Sequence, residues 1–193
     1  MALPGNTLST SQVYIEFLAP RDIYKVDLED YEMGGVALSD TSGGLMAKVW
    51  HGYMDGDGFY LEAPGVSPTL VFTQPMVQEV SFTFDQSMRP FVTWYQTNGV
   101  AKYRWYDTLV SNYVISTLPS GSITPRASLD DKRASQSSAS DIILAYVRNS
   151  ALYYVQQRDR FETERLLESG IGTKKLDRIG MNRGYRFQFK YKP

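Results

Sequence analysis

The chain has 193 residues, a formal net charge of −1 from 20 Lys+Arg against 21 Asp+Glu, no cysteine and a single histidine, His51. That length suits one domain, or two small ones, with mass enough for a core, and the missing cysteines exclude a disulfide scaffold, a thiolate zinc site, an iron–sulfur cluster and a cysteine nucleophile. One histidine excludes a multi-histidine metal site and disfavours a serine triad, and balanced charge argues against a general nucleic-acid binder.

Residues 1–12 are polar and turn-rich and read as a flexible arm, without the basic start and apolar stretch of a signal peptide. Val13-Tyr14-Ile15-Glu16-Phe17-Leu18 is a β-prone run closed by Ala19-Pro20. The acid-rich stretch 27–35 reads as a loop or a short strand. Val36-Ala37-Leu38 precedes a dense turn signal over 39–44, and Leu45 to Tyr53 reads as a strand. Asp55-Gly56-Asp57-Gly58 supplies a hairpin turn to Phe59-Tyr60-Leu61-Glu62. Leu70-Val71-Phe72 and Val77 to Phe84 follow, split by Gln74-Pro75, with Val80, Phe82 and Phe84 on one face. Phe91 to Tyr95 and Val100 to Tyr106 flank Asn98-Gly99, the strongest hairpin signal in the chain, and Tyr113 to Leu118 is one more strand.

Residues 119–140, rich in serine with Pro119 and Pro125, read as a long exposed loop. Ile142 to Val147 and Leu152 to Gln157 form another hairpin about Asn149-Ser150. Phe161 to Glu168 reads as an outer strand or a short helix, stopped by Gly170 and Gly172. In the tail, Tyr185, Phe187, Phe189 and Tyr191 alternate with Arg186, Gln188, Lys190 and Lys192, giving a strand with one aromatic and one basic face. That strand either closes the same domain, or pairs with a neighbour's sheet edge, or touches nucleic acid. No apolar run reaches the length of a membrane span, so the expectation is a soluble protein made in a reducing cytoplasm. Residues 13–193 are expected to form one β-rich domain.

Two hairpins match: Phe91 to Tyr103 lies 51 residues before Ile142 to Tyr154, pairing Tyr95 with Tyr146, Asn98 with Asn149 and Tyr103 with Tyr154. Phe84-Asp85 precedes one and Leu129-Asp130 the other, and a weaker third copy runs from Val49-Trp50 to Phe59-Tyr60. A period of about 40–50 residues with several strands per unit is the mark of β-propeller blades. The alternative is coincidence among similar hairpins in a sandwich or open meander. The expected fold is therefore mainly β, with antiparallel hairpins in a propeller-blade-like or sandwich arrangement and at most one short helix.

Charge is uneven, with 3 basic and 10 acidic groups in 1–63, and 10 basic and 5 acidic in 158–193. The two ends either meet within one molecule, meet head to tail between neighbours, or form separate solvated faces. No chemistry emerges. His51 beside Trp50 suits packing or surface. Asp55 and Asp57 lack the other positions of a calcium loop, and Gly170 to Lys175 fits no phosphate-loop spacing. The Asp and Trp within Ser81–Trp94 have the wrong spacing for a sialidase Asp box. No cofactor is expected, and no enzyme activity.

Several segments together resemble structural proteins of tailed bacteriophages. They are Gly35 to Leu45, Phe82 to Pro90, Arg104 to Asp107, Leu129 to Arg133, Ser140 to Tyr146, Leu152 to Tyr154 and Gln157 to Phe161. The likeness covers about residues 30–185 and carries no catalytic motif. It implies a virion location, in the tail of a short-tailed phage, and contacts that link tail tube, adaptor or fibre proteins. The partners would be other copies of the chain and neighbouring tail proteins. Tyr185, Phe187, Phe189, Tyr191, Trp94, Trp105 and Arg133 are the candidate interface residues. The alternative is a carbohydrate-binding or glycan-cleaving module for host-surface recognition, presenting Trp94, Tyr95, Trp105 and Tyr106 as a platform.

Overall fold

The computed structural model describes residues 24–25, 32–41, 44–63, 65–85, 87, 89–129, 141–181 and 187–193. The 1–12 arm, the 13–18 run, Arg133 and Tyr185 lie outside them. Fifteen strands and one 3-10 turn (Gln157–Asp159) make up the described chain, with no α-helix among the described residues.

The strands fall into antiparallel sheets in chain order, none of them closed into a barrel. The first holds β1 (Tyr24–Lys25), β2 (Glu32–Thr41), β3 (Gly44–Asp55), β4 (Gly58–Ala63) and β5 (Val66–Thr73). The second holds β6 (Val77–Phe84), β7 (Pro90–Gln96), β8 (Ala101–Asp107) and β9 (Asn112–Thr117). The third holds β10 (Ile123–Leu129), β11 (Ile142–Arg148), β12 (Ala151–Gln156) and β13 (Arg165–Ser169). The fourth, among the described residues, holds β14 (Lys175–Met181) and β15 (Phe187–Lys192). Each sheet is a meander, so every strand pairs with its sequence neighbour.

Turn chemistry sets these reversals. Asn149 and Ser150 both take positive φ, at 51° and 56°, which a two-residue type I′ hairpin requires. Gly99 sits at φ 84° and donates its N–H to the Gln96 carbonyl, closing the longer turn between β7 and β8.

Three apolar cores lie between successive sheets. Phe59, Leu61 and Phe72 of the first sheet meet Phe82, Val92 and Trp94 of the second. Phe91, Tyr103 and Trp105 of the second meet Ile142, Leu144 and Tyr146 of the third. Ala145, Val147 and Leu152 of the third meet Leu176 and Ile179 of the fourth. The second and third sheets are therefore covered on both faces. This explains why Ile142 to Val147 is an unbroken apolar run: alternate residues feed two different cores. The first core is tight enough to demand glycine at 52, where a Cβ would come within 2.6 Å of the buried Phe59 ring.

The matching hairpins occupy equivalent places. β7–β8, β11–β12 and β3–β4 each contribute the second and third strands of a four-strand meander, counted from β6, β10 and β2. The tyrosine match needs correction, however. Tyr146 faces the second sheet, which precedes its own, whereas Tyr95 packs toward the third sheet, which follows its own. By face, Tyr146 answers to Trp94. The slip arises because residues 97–100 separate β7 from β8 but only 149–150 separate β11 from β12. One residue of offset in a strand exchanges its two faces.

Two further expectations change. Residues 123–129 of the supposed 119–140 loop form β10, and Thr124 to Ser128 are all buried. The 39–44 turn shrinks, because β2 runs through Thr41 and β3 starts at Gly44. Of the two alternatives for 161–168, an outer strand or a short helix, the strand is the one formed, over Arg165–Ser169.

Candidate functional site

β2 of the first sheet and the first strands of the other three lie side by side: β2 lies against β6, and β10 is flanked by β6 and β14. This seam is where the buried polar chemistry gathers. Arg126 of β10 is 1% exposed. Its Nη2 donates to Glu79 Oε2 of β6 at 3.0 Å, its Nε to the Asp177 carbonyl of β14 at 2.7 Å, and its Nη1 to the Pro125 carbonyl at 2.7 Å. The Ala127 N–H donates to Ser81 Oγ of β6, and the Leu176 N–H of β14 donates to Thr124 Oγ1. Thr124 is placed by a bulge in β10 between Ile123 and Arg126, and itself takes φ 47°. A guanidinium is suited to this place, since its rigid fork serves three acceptors at once. All of this chemistry holds strands together.

Three buried aspartates act in the same way at strand ends. Asp85 accepts the backbone N–H groups of Ser87 and Arg89 and pairs with Arg89 Nε at 2.7 Å, shaping the turn before β7. Asp107 accepts the Leu109 N–H and pairs with Arg160, bridging the second and third sheets. Asp141 accepts the Arg158 N–H at 2.8 Å and pairs with Arg158 Nε. Among the described residues no cluster of His, Asp or Glu could hold a metal ion.

Tyr146, Arg148 and Glu164 form a hydrogen-bonded and ion-paired cluster. Tyr146 donates its hydroxyl to Glu164 Oε2 at 2.5 Å, and Arg148 pairs with Glu164 Oε1. Burial first, then the bond to Glu164 and that carboxylate's charge, push the Tyr146 hydroxyl far above its ordinary 10.0. A raised folded-state pKa means a contribution that is complete below the unfolded pKa and is lost as pH rises past it. Stability should therefore fall as pH climbs above about 10. The Tyr146→Phe variant should be less stable by about 1 kcal/mol near neutrality, with the gap closing in alkali. Urea midpoints of the two proteins at neutral and strongly alkaline pH check this; a constant gap contradicts it.

The candidate interface residues separate into groups. Trp94 is 0% exposed and Trp105 6%, so both are core residues and are withdrawn as surface anchors. Trp94 stacks on Phe72 with centroids 4.6 Å apart, and Trp105 meets Phe161 edge-on. Alternation alone could not reveal that the second sheet is covered on both faces. Phe187, Phe189 and Tyr191 are half-buried and pack against the third core, while Gln188 and Lys190 face out. The inward aromatic face matches a closing strand of the same domain. The Tyr191 hydroxyl donates to Glu168 of β13 at 2.7 Å, which ties the fourth sheet to the third.

Sequence reading missed the exposed aliphatic side chains of the outermost strands. They are Leu70 on β5, Ile115 on β9, and Leu166 and Leu167 on β13, with Leu109 and Val110 at the β8–β9 turn. Their signal was present, since apolar residues on an outer strand have no further sheet to cover them. Comparison of the chain with protein-family models, with curated protein sequences and with solved structures returns no match.

Proposed function

We propose that this chain is a structural component of a bacteriophage tail, with its meander sheets stacked as successive propeller-like blades, and that it works by contacts with its own copies and neighbouring tail proteins. The observation that carries this reading is how polar and apolar groups are distributed. Buried ionic groups act as clamps and seams inside the chain, while the outer strands β5, β9 and β13 offer exposed aliphatic side chains to a partner. The phage-like segments support it: Phe82 to Pro90, Arg104 to Asp107 and Ile142 to Tyr146 fall on β6–β7, β8 and β11. The uneven charge of the two chain ends suits head-to-tail contact. The glycan reading loses its platform, because Trp94 and Trp105 are inside the chain.

The test is the mass of the purified protein by native mass spectrometry and light scattering across a range of concentrations. A defined trimer, hexamer or dodecamer is the expected result, weakened by Leu166→Glu or Ile115→Glu. A monomer at every concentration counts against the proposal.

A further inference from the structure

The sheets pack in succession, so the first and the fourth each give one face to a core and turn the other away from it. On the first sheet, Met54, Phe59 and Leu61 point into the core. The register then sets His51 opposite Glu62, Tyr53 opposite Tyr60 and Asp55 opposite Gly58 on the outward face. Tyr53 and Tyr60 stack there, with centroids 5.6 Å apart and planes 16° from parallel. Tyr60 and Leu70 close over Gly58, where a Cβ would come within 2.7 Å of the Tyr60 ring. Asp55 and Asp57 are exposed and Glu62 is half-buried. No lysine or arginine joins them among the described side chains of β3, β4 and β5. Stacked rings flanked by carboxylates suit a cationic partner.

The outward face of the fourth sheet is its opposite in charge. Leu176 and Ile179 are buried in the third core and Phe189 packs against it, so Lys175, Arg178 and Lys190 fall on the other side. Lys175 is exposed and the Lys190 side chain is 65% exposed, while Lys174 lies over the Tyr191 ring at the end of the sheet. Asp177 is the one acid in β14 and β15, and it already faces Arg178 at 3.5 Å and Lys190 at 3.8 Å. The face keeps a positive excess. Asp55, Leu70 and Lys190 are all exposed in the single chain, so the two outward faces do not cover these residues within it.

We propose that the outward face of the first sheet is the docking site for the outward face of the fourth sheet of a second copy, so that the succession of sheets continues from one chain into the next. Stacked tyrosines and carboxylates on one side meet lysines on the other, which charge complementarity and cation–π attraction both favour. The two surfaces differ, so the contact is heterologous and either closes as a ring or runs on as a filament. This contact presupposes a self-associating chain, as the proposed function has it, and specifies which surfaces associate.

Charge reversal on the full-length protein tests it, read by native mass spectrometry and light scattering. One variant carries Lys175→Glu and Lys190→Glu, the other Asp55→Lys and Glu62→Lys. Each alone should associate about a hundredfold more weakly or worse, since like charges then oppose across the contact. An equimolar mixture should associate again, because the reversed face of one variant meets the reversed face of the other. In the unaltered protein, raising sodium chloride from about 0.1 M to about 1 M shortens the screening length from roughly 10 Å to roughly 3 Å and should dissociate the assembly. That arm needs no variant and decides if either variant misfolds. Reversals that leave the mass unchanged, folded variants that mixing does not rescue, or an assembly indifferent to salt overturn the proposal. If such an assembly is still split by Leu166→Glu or Ile115→Glu, the chain associates through its outer strands, and the functional reading stands without these two faces. A monomer of the unaltered protein at every concentration overturns both.

Discussion

Replacing Arg126 with methionine should cost about 3–5 kcal/mol of stability, the range for removing one partner of a buried, hydrogen-bonded charge pair. The side chain is buried, its guanidinium serves β6, its own strand and β14, and methionine keeps the aliphatic stem while removing every donor. The carbonyls of Asp177 and Pro125 lose their bonds to Arg126, and Glu79 loses the cation that faces it. Because Glu79 keeps some access to solvent, the loss should lie toward the lower end. For a urea m-value of about 2 kcal/mol/M, the midpoint should drop by roughly 1.5–2 M. Arg126→Lys should recover part of the loss, since a point charge can still face Glu79 but cannot serve three acceptors in one plane. Exchange protection should fall first in β10 and β14. A midpoint that moves by less than about 0.5 M would mean the seam is held by its backbone neighbours and apolar cores instead.

The seam is also where sequence reading stopped short. β6, β7, β8, β9, β11 and β12 were legible, because their apolar patterns are dense and bounded by Asn-Gly, Asn-Ser and Gln-Pro signals. β10 was hidden by its composition. Ile123-Thr124-Pro125-Arg126-Ala127-Ser128 reads as loop because its buried partners are polar, and its bulge breaks the period of two. β14 was hidden likewise: Leu176 and Ile179 are its core residues, and the bulge between Leu176 and Arg178 spoils their alternation. Both lost strands lie first in their sheets, where hydrogen bonds to neighbouring sheets replace apolar burial. Periodicity detects burial in apolar surroundings and is silent on burial among satisfied polar groups. The repeat carried the architecture further than any single strand did, yet missed the faces by one residue, since hairpins of unequal turn length align by composition before they align by side. The candidate anchors suffered from a related ambiguity. Trp94 and Trp105 suit a surface contact as well as a core, and only the packing of three sheets in succession separates the two.

Truncating Trp94 to alanine should be similarly damaging, about 3–5 kcal/mol, because it removes the largest fully buried side chain of the chain's described part. The indole joins β7 to the far edge of the first sheet, stacking on Phe72 of β5 with planes 24° apart. Trp94→Phe should cost much less, about 1–2 kcal/mol, for two reasons. A phenyl ring keeps most of the apolar contact, and the indole Nε1 has no hydrogen-bond acceptor, so its loss breaks no bond. A double-mutant cycle of Trp94→Ala with Phe72→Ala isolates the stack, with an expected coupling of about 0.5–1.5 kcal/mol beyond the area each ring buries. Urea unfolding supplies all four stabilities. Exchange in β4 and β5 shows where the damage lies, because Phe59, Leu61 and Phe72 lose a neighbour across the first core while the third core is untouched. Additive losses in the cycle would mean that Trp94 and Phe72 stabilise the fold by independent burial. Coupled losses, with β4 and β5 loosened and β11 to β15 still protected, would mean that the first sheet is held to the second chiefly through this one aromatic contact.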